Sequence, residues 1–320
     1  MSHYAKKVTF FMKSNGLCIY IEQLRSARNI SQLSFVEDVV SLRQYRRYLK
    51  GESDIPFNIV HQLTSKLGLK TDNILREFEV AKIEETKKIN NLYNFAVNYA
   101  FDDFKKLNNE ISVDHLIEQT NVLLYKHSLT LYDYFRRSIT STQVKDINQN
   151  LVDYPSVLEQ GVLNTIELLI LTFLIDVSNL EDQNKIITKL SKYINDSKII
   201  ISGGNDKVLT LILARLAKHS GILENYEQVI KFCNKGIDRN SLLMSYYLMD
   251  YFYYYKSLAY YKLGDHDNFK IAINKIFNIL EFEGNENKMK KFIKLINEDY
   301  DIDFKHYVLD LYKKNEEGNL

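Results

Sequence analysis

Only two prolines in 320 residues, with eleven glycines, limit this chain more than any other feature of its sequence. A β-sandwich or barrel needs a turn residue about every 8–12 positions, and this chain does not carry them. Disorder is excluded from the other side: 45% of the residues are hydrophobic and 26% are charged, enough to bury a core and solvate a surface. An all-α chain remains, long enough for two domains.

Nothing in the apolar pattern addresses a membrane. The longest apolar stretch, 168–175, is interrupted by Thr172 and falls well short of the roughly 20 residues that span a bilayer. Residues 1–15 carry Lys6, Lys7 and Lys13 without a continuous apolar run or a small-residue cleavage site, so a cytoplasmic location is expected. Cys18 and Cys233 are far apart and belong to no CxxC or zinc spacing, which reads as two buried thiols in a reducing compartment.

The near-neutral total of +1 hides an asymmetry. Eleven Lys/Arg against five Asp/Glu give residues 1–70 a net +6, leaving −5 on residues 71–320. A basic head on a mildly acidic body is the charge layout of a nucleic-acid module joined to another domain. The head has a helical scaffold to carry that charge. Leu17, Ile21 and Leu24 lie at helical spacing. Ser31 is placed to cap a second helix over 32–39, and Ser41 a third over 42–49, closed by Gly51. Pro56 opens a fourth helix ending at Leu67-Gly68, and a fifth begins after Thr71-Asp72.

Residues 30–69, from Ile30-Ser31-Gln32 through Ser41 and Gly51 to Leu67-Gly68-Leu69, resemble the helix-turn-helix of the phage-repressor/XRE class. They depart from it in a turn between helices two and three that is one residue short and lacks the common glycine. On the third helix Tyr45, Tyr48 and Leu49 share one face, while Arg43, Gln44, Arg46, Arg47 and Lys50 point elsewhere. Arg matches guanine O6/N7 and Gln matches adenine N6/N7 in a major groove. Ser31, Gln32 and Ser41, at helix N-termini, are placed for phosphates. These eight residues form the expected interface with double-stranded DNA.

From residue 71 the chain reads as a polar helical linker (71–91) and then a run of helices to residue 320. They include 92–107, 113–138, 158–177, 182–194, 207–220, 226–236, 242–263, 268–282 and 288–298. Leu174-Ile175, Leu216-Ala217 and Leu258-Ala259 recur at intervals of 42, as do Ile187, Val229 and Ile271. The unit around 258–276 resembles a tetratricopeptide repeat, which implies stacked helical hairpins in an α-solenoid. The expected fold is therefore all-α: a five-helix helix-turn-helix domain (1–70) followed by a tetratricopeptide-like body (92–320).

A head and body of these kinds resemble the peptide-sensing regulators of the Rgg/PlcR/PrgX kind. The resemblance implies a homodimer whose body binds a short re-imported peptide and thereby controls two DNA-binding heads. Taking the first helix of each hairpin as the groove lining, Tyr247, Asp250, Tyr254 and Ser257 form a polar-aromatic stripe. Asn164 and Arg215 lie on the earlier first helices. Asn and Arg suit a peptide backbone and carboxylate, and Tyr gives amphipathic contact.

Catalysis, metal and cofactor chemistry find no motif. The seven histidines show no HExxH or ligand spacing, and Gly203-Gly204 lacks the Walker Lys-Ser/Thr, reading instead as an inter-helix turn. His127, on a mostly apolar helix, reads as a packed residue. Two other readings stay open: a protein-interaction scaffold tethered to DNA by its head, and a dimeric repressor with no ligand.

Overall fold

A computed structural model describes residues 16–195, 206–300 and 302–317, all in helices, turns and loops. The expected turn at Gly203-Gly204 and the lysines of residues 1–15 lie outside the described residues. The chain divides into two compact units, residues 1–151 and 152–320.

Unit 1 begins with α1 (Gly16–Ala27), α2 (Gln32–Val36), α3 (Leu42–Lys50) and α4 (Phe57–Lys66). Ser31 and Ser41 cap α2 and α3, their side chains accepting from the amides of Ser34 and Gln44. Gly51 (φ 68°) closes α3 in the left-handed region, where a side chain would be strained. The helix expected over 32–39 stops at Val36, because the chain turns through Asp38 at φ 62°. Asp38 thus does the work of the missing turn glycine, and Asp tolerates that conformation better than most residues. Ile21, Phe35, Tyr45, Leu63 and Ile74 close a core from which water is excluded; each is worth about 1.5–3 kcal/mol of burial.

The expected linker is not a separate segment. Helix α5 (Thr71–Val97) runs unbroken for 27 residues, with Thr71 and Ile74 buried near its start and Ile89, Leu92 and Ala96 near its end. It is followed by α6 (Phe101–Asn108), a 3-10 turn (Val113–His115), α7 (Gln119–Phe135) and α8 (Ser141–Leu151). The helix expected over 92–107 is therefore broken, at Tyr99 (φ 60°). That over 113–138 begins only at Gln119, where Glu85 accepts hydrogen bonds from the Ile117 and Glu118 amides just ahead of it (2.6 and 3.0 Å). Gln23 donates to the His115 carbonyl at 3.1 Å, tying α1 to the turn. His127 is fully buried, its Nδ1 2.6 Å from Asn148 Oδ1 on α8 and its ring stacked on Tyr93.

Unit 2 holds α9 (Thr165–Val177), α10 (Leu180–Asn195), α11 (Asp206–Ile222), α12 (Tyr226–Leu242), α13 (Met249–Leu263), α14 (His266–Glu283), α15 (Glu286–Tyr300) and α16 (Phe304–Glu317). They pair as consecutive hairpins, with α9 beside α11 and α11 beside α13. The 42-residue interval holds for the first helices: Ile170, Ile212, Tyr254 and Ile296 are all buried. In the second helices the inward residues are Ile186, Val229 and Ala272, each one position beyond that interval from the last. Ile271, expected to match Val229, is 57% exposed. Two further expected helices are split. One breaks before a capping box at Asn164 and Glu167. The other breaks between Leu242 and Met249, where Met244 and Leu248 take φ of 48° and 60°.

Candidate functional site

The third helix of the head is held from beneath and bare on top. Tyr45 and Tyr48 are buried, whereas Arg43, Arg46, Arg47 and Lys50 are exposed. Tyr45 packs edge-on against Phe35 at 5.9 Å, and its hydroxyl donates to Glu22 Oε2 at 2.8 Å. Glu22, on α1, also accepts from Arg25 Nε and Nη2 (both 2.8 Å) and from Gln32 Nε2 (2.6 Å). One carboxylate therefore joins α1, α2 and α3. Burial on its own would raise the pKa of Glu22, but hydrogen bonds from Arg25, Gln32 and Tyr45 outweigh it and hold the carboxyl below its ordinary value.

These contacts sort the eight expected DNA residues. The side-chain oxygens of Ser31 and Ser41 are engaged as helix caps. Gln32 gives its amide to Glu22 and accepts a long 3.5 Å bond from Arg46. Gln44 donates to Ser53 at 3.0 Å and accepts from Arg47, which also sits 3.5 Å from Glu52. Arg43 and Lys50 make no side-chain hydrogen bond or ion pair among the described residues. Glu22 and Ser53 were not expected from sequence. Their role depends on contacts between elements, which local spacing does not encode.

Of the four residues expected to form a stripe in unit 2, Asp250, Tyr254 and Ser257 are buried. Asn164 is the N-cap of α9, accepting from the amides of Ile166 and Glu167. Ser257 is fully buried and bonded to the Tyr300 hydroxyl at 2.7 Å, and buried Tyr254 donates to Asp299. Asp250 is also buried, with Lys288 Nζ 3.1 Å from its Oδ2. Burial pushes the Asp250 carboxyl upward, against the pull of Lys288.

Arg215 and Tyr247 instead belong to a half-buried row. Arg215 pairs with Asp176 of α9 at 2.8 Å, and Lys218 with the other oxygen of Asp176 at 2.9 Å. Tyr251 and Tyr255 lie one turn apart on α13, one step off the expected Asp250 and Tyr254, while Tyr247 lies in the turn that precedes the helix. Burial raises the pKa of the Tyr247 and Tyr255 hydroxyls, with Arg215 pulling the other way on both. Lys207 lies 5.7 Å from the Tyr247 ring, and Lys291 donates to the Tyr251 hydroxyl at 2.9 Å. The four-residue tyrosine spacing was readable in the sequence, but Asp176 gave no sign there.

A helix-turn-helix head joined to tandem helical hairpins defines a two-part class of all-α protein. Among solved structures, the chain is similar to the apo form of the competence regulator ComR from Streptococcus vestibularis, at 14% identity and a TM-score of 0.50, over 90% of this chain and 99% of that one. It is similar to the same regulator in complex with its cognate signaling peptide XIP, at 14% identity and a TM-score of 0.52, over 89% and 99%. ComR from S. thermophilus in complex with DNA and its signalling peptide ComS matches at 13% identity and a TM-score of 0.50, over 87% and 97%. At these identities the shared property is the fold, and the fold expected from the sequence is the one found. No protein-family model and no curated protein matches the sequence.

Proposed function

We propose that the chain is a sequence-specific, DNA-binding transcription regulator of the peptide-sensing kind. Its helical-repeat body binds a short signalling peptide and forms a homodimer, and it works in the cytoplasm and is not an enzyme. One observation carries the reading: α3 presents Arg43, Arg46, Arg47 and Lys50 to solvent from a scaffold that Tyr45 and Tyr48 anchor. A helix so presented suits a major groove. ComR, whose fold this chain shares, was solved with DNA and a signalling peptide. Among the described residues no helix is long and apolar enough to cross a membrane. The division into a head (1–70), a linker (71–91) and a repeat body (92–320) is retained as the functional one, α5 supplying the linker and continuing into the first residues of the body. Exposed Leu242, Met244, Tyr246 and Phe282 in unit 2 support a dimer surface.

Within α3 the uncommitted Arg43, near the N-terminal end, is the base reader, and the uncommitted Lys50, at the other end, is a phosphate contact. Selection of duplexes from a random pool, followed by binding measured against salt, tests both. Arg43→Ala is expected to relax preference at one G·C position and cost about 1–3 kcal/mol there. Lys50→Ala is expected to weaken all duplexes alike and to lower the salt slope by about 1. Failure of the wild-type chain to select any sequence rules out the reading. Capture of a folded protein with no response to peptides points to the scaffold instead.

A further inference from the structure

Between the head and α7 lies a cleft of about 860 Å³, all of it within unit 1. One wall is the length of α1 from Ile19 to Ala27, joined by Leu49 from the last turn of α3. The other is the 3-10 turn with the first two turns of α7. Ile19, Leu49, Ile117 and Val122 give the cleft apolar surface. Its polar lining falls into two groups. Glu22 is committed to Arg25, Gln32 and Tyr45, and the Gln23 amide to the His115 carbonyl. Ser26, Asp114, Gln119 and Lys126 make no side-chain hydrogen bond or ion pair among the described residues. One carboxylate and one ammonium therefore stand uncommitted beside apolar surface. Concave sites of about 300–1,000 Å³ with apolar walls and a few polar groups are where small ligands bind.

We infer that this cleft is a second ligand site, for a small amphipathic zwitterion of the amino-acid class. Lys126 meets its carboxylate, Asp114 its ammonium, and Ile19, Leu49, Ile117 and Val122 its apolar side chain. Ser26 and Gln119 complete the polar contacts, directly or through water. An acid or an amine alone would leave one of the two charges unanswered, and a purely apolar molecule would leave both. The site belongs to unit 1 and does not depend on the peptide reading. Two of its lining residues bear on the DNA-facing helix: Leu49 is part of α3, and Glu22 ties α1 to α2 and α3. An occupant also lies against the Gln23–His115 bond that joins α1 to the turn. Occupation thus changes how firmly α3 is held and, resting here on the DNA reading above, the affinity for a duplex.

The test is calorimetric titration of the full chain with a panel of free amino acids, and with the N-acetyl and the C-terminal amide forms of leucine and phenylalanine. Amino acids with large apolar side chains are expected to bind, and each blocked form to bind about three- to tenfold more weakly than its parent. Lys126→Gln is expected to erase the difference between free acid and amide, and Asp114→Asn that between free amine and N-acetyl form. Ser26 is exposed near the end of α1, so Ser26→Trp fills the cleft from its rim. It is expected to abolish binding with helical circular dichroism unchanged. With a selected duplex, saturating ligand is expected to change DNA affinity about fivefold or more in the wild-type chain and not in Ser26→Trp. If no amino acid binds, or if the blocked forms bind as well as the free ones, the inference is overturned. Undiminished binding by folded Ser26→Trp overturns it too, and a ligand that binds without changing duplex affinity overturns the link to α3. Should the wild-type chain select no duplex at all, the DNA reading falls, and the titrations without DNA still decide the site.

Discussion

Glu22 shows how much of the head depends on one side chain. Its carboxylate receives four hydrogen bonds from Arg25, Gln32 and Tyr45, and through them aligns the first three helices. Its folded-state pKa is lowered, so the stabilisation is present above the unfolded value of about 4.3 and is lost as pH falls through the lower folded value. Thermal unfolding followed from pH 7 down to pH 3 is expected to show that loss. Glu22→Gln is expected to cost about 1–2 kcal/mol at neutral pH and to flatten the profile, with weaker selective DNA binding because Tyr45 no longer fixes α3. An unchanged pH profile in the variant contradicts this. At this scale the sequence was legible where a residue acts locally. Ser31, Ser41 and Gly51 cap helices as their chemistry demands, and Arg43 and Lys50 face outward because Tyr45 and Tyr48 face inward. Gln32 and Gln44 were less legible, since their partners Glu22 and Ser53 belong to other elements.

At the scale of elements, helix ends were harder to place than helices. The break before α9 carries a readable Asn164–Glu167 capping box, whereas the breaks at Tyr99, Met244 and Leu248 depend on left-handed backbone in residues that rarely adopt it. Close packing between helices sets a sharper constraint. A Cβ on Gly236 of α12 would lie 2.2 Å from the Phe252 ring of α13, whereas one on Gly221 meets nothing nearer than 3.7 Å. Gly236→Ala is therefore expected to destabilise by about 1–3 kcal/mol in denaturant titration, despite the better helix propensity of alanine. Gly221→Ala is expected to be neutral or stabilising by up to about 1 kcal/mol in the same titration. The α7–α8 pair depends on a neutral histidine: burial drives the pKa of His127 down to about 4, although its bond to Asn148 pulls upward. A lowered folded-state value means full stability above the unfolded pKa of about 6.5 and progressive loss between there and about pH 4. Hydrogen exchange of α7 and α8 amides is expected to speed up over that window, and His127→Phe to remove the pH dependence.

For the whole molecule, the division at residue 151 places the head, α5 and the α7–α8 pair in one unit and the tyrosine row in the other. A chain ending at residue 151 is expected to keep its helical circular dichroism and its DNA affinity per head while losing every response to peptide. An unfolded fragment contradicts the first expectation. The sequence by itself determined the helical class, the basic head and the spacing of the first helices, because 3.6-residue periodicity, capping chemistry and charge are properties of short stretches of chain. Only the tertiary structure decided which tyrosines stay half-exposed, which polar side chains are spent inside the molecule, and that Asp176 lies against Arg215 and Lys218. A side chain's exposure and partners depend on the register between neighbouring helices, and one residue of slip, such as separates Ile271 from Ala272, turns a buried position into an exposed one.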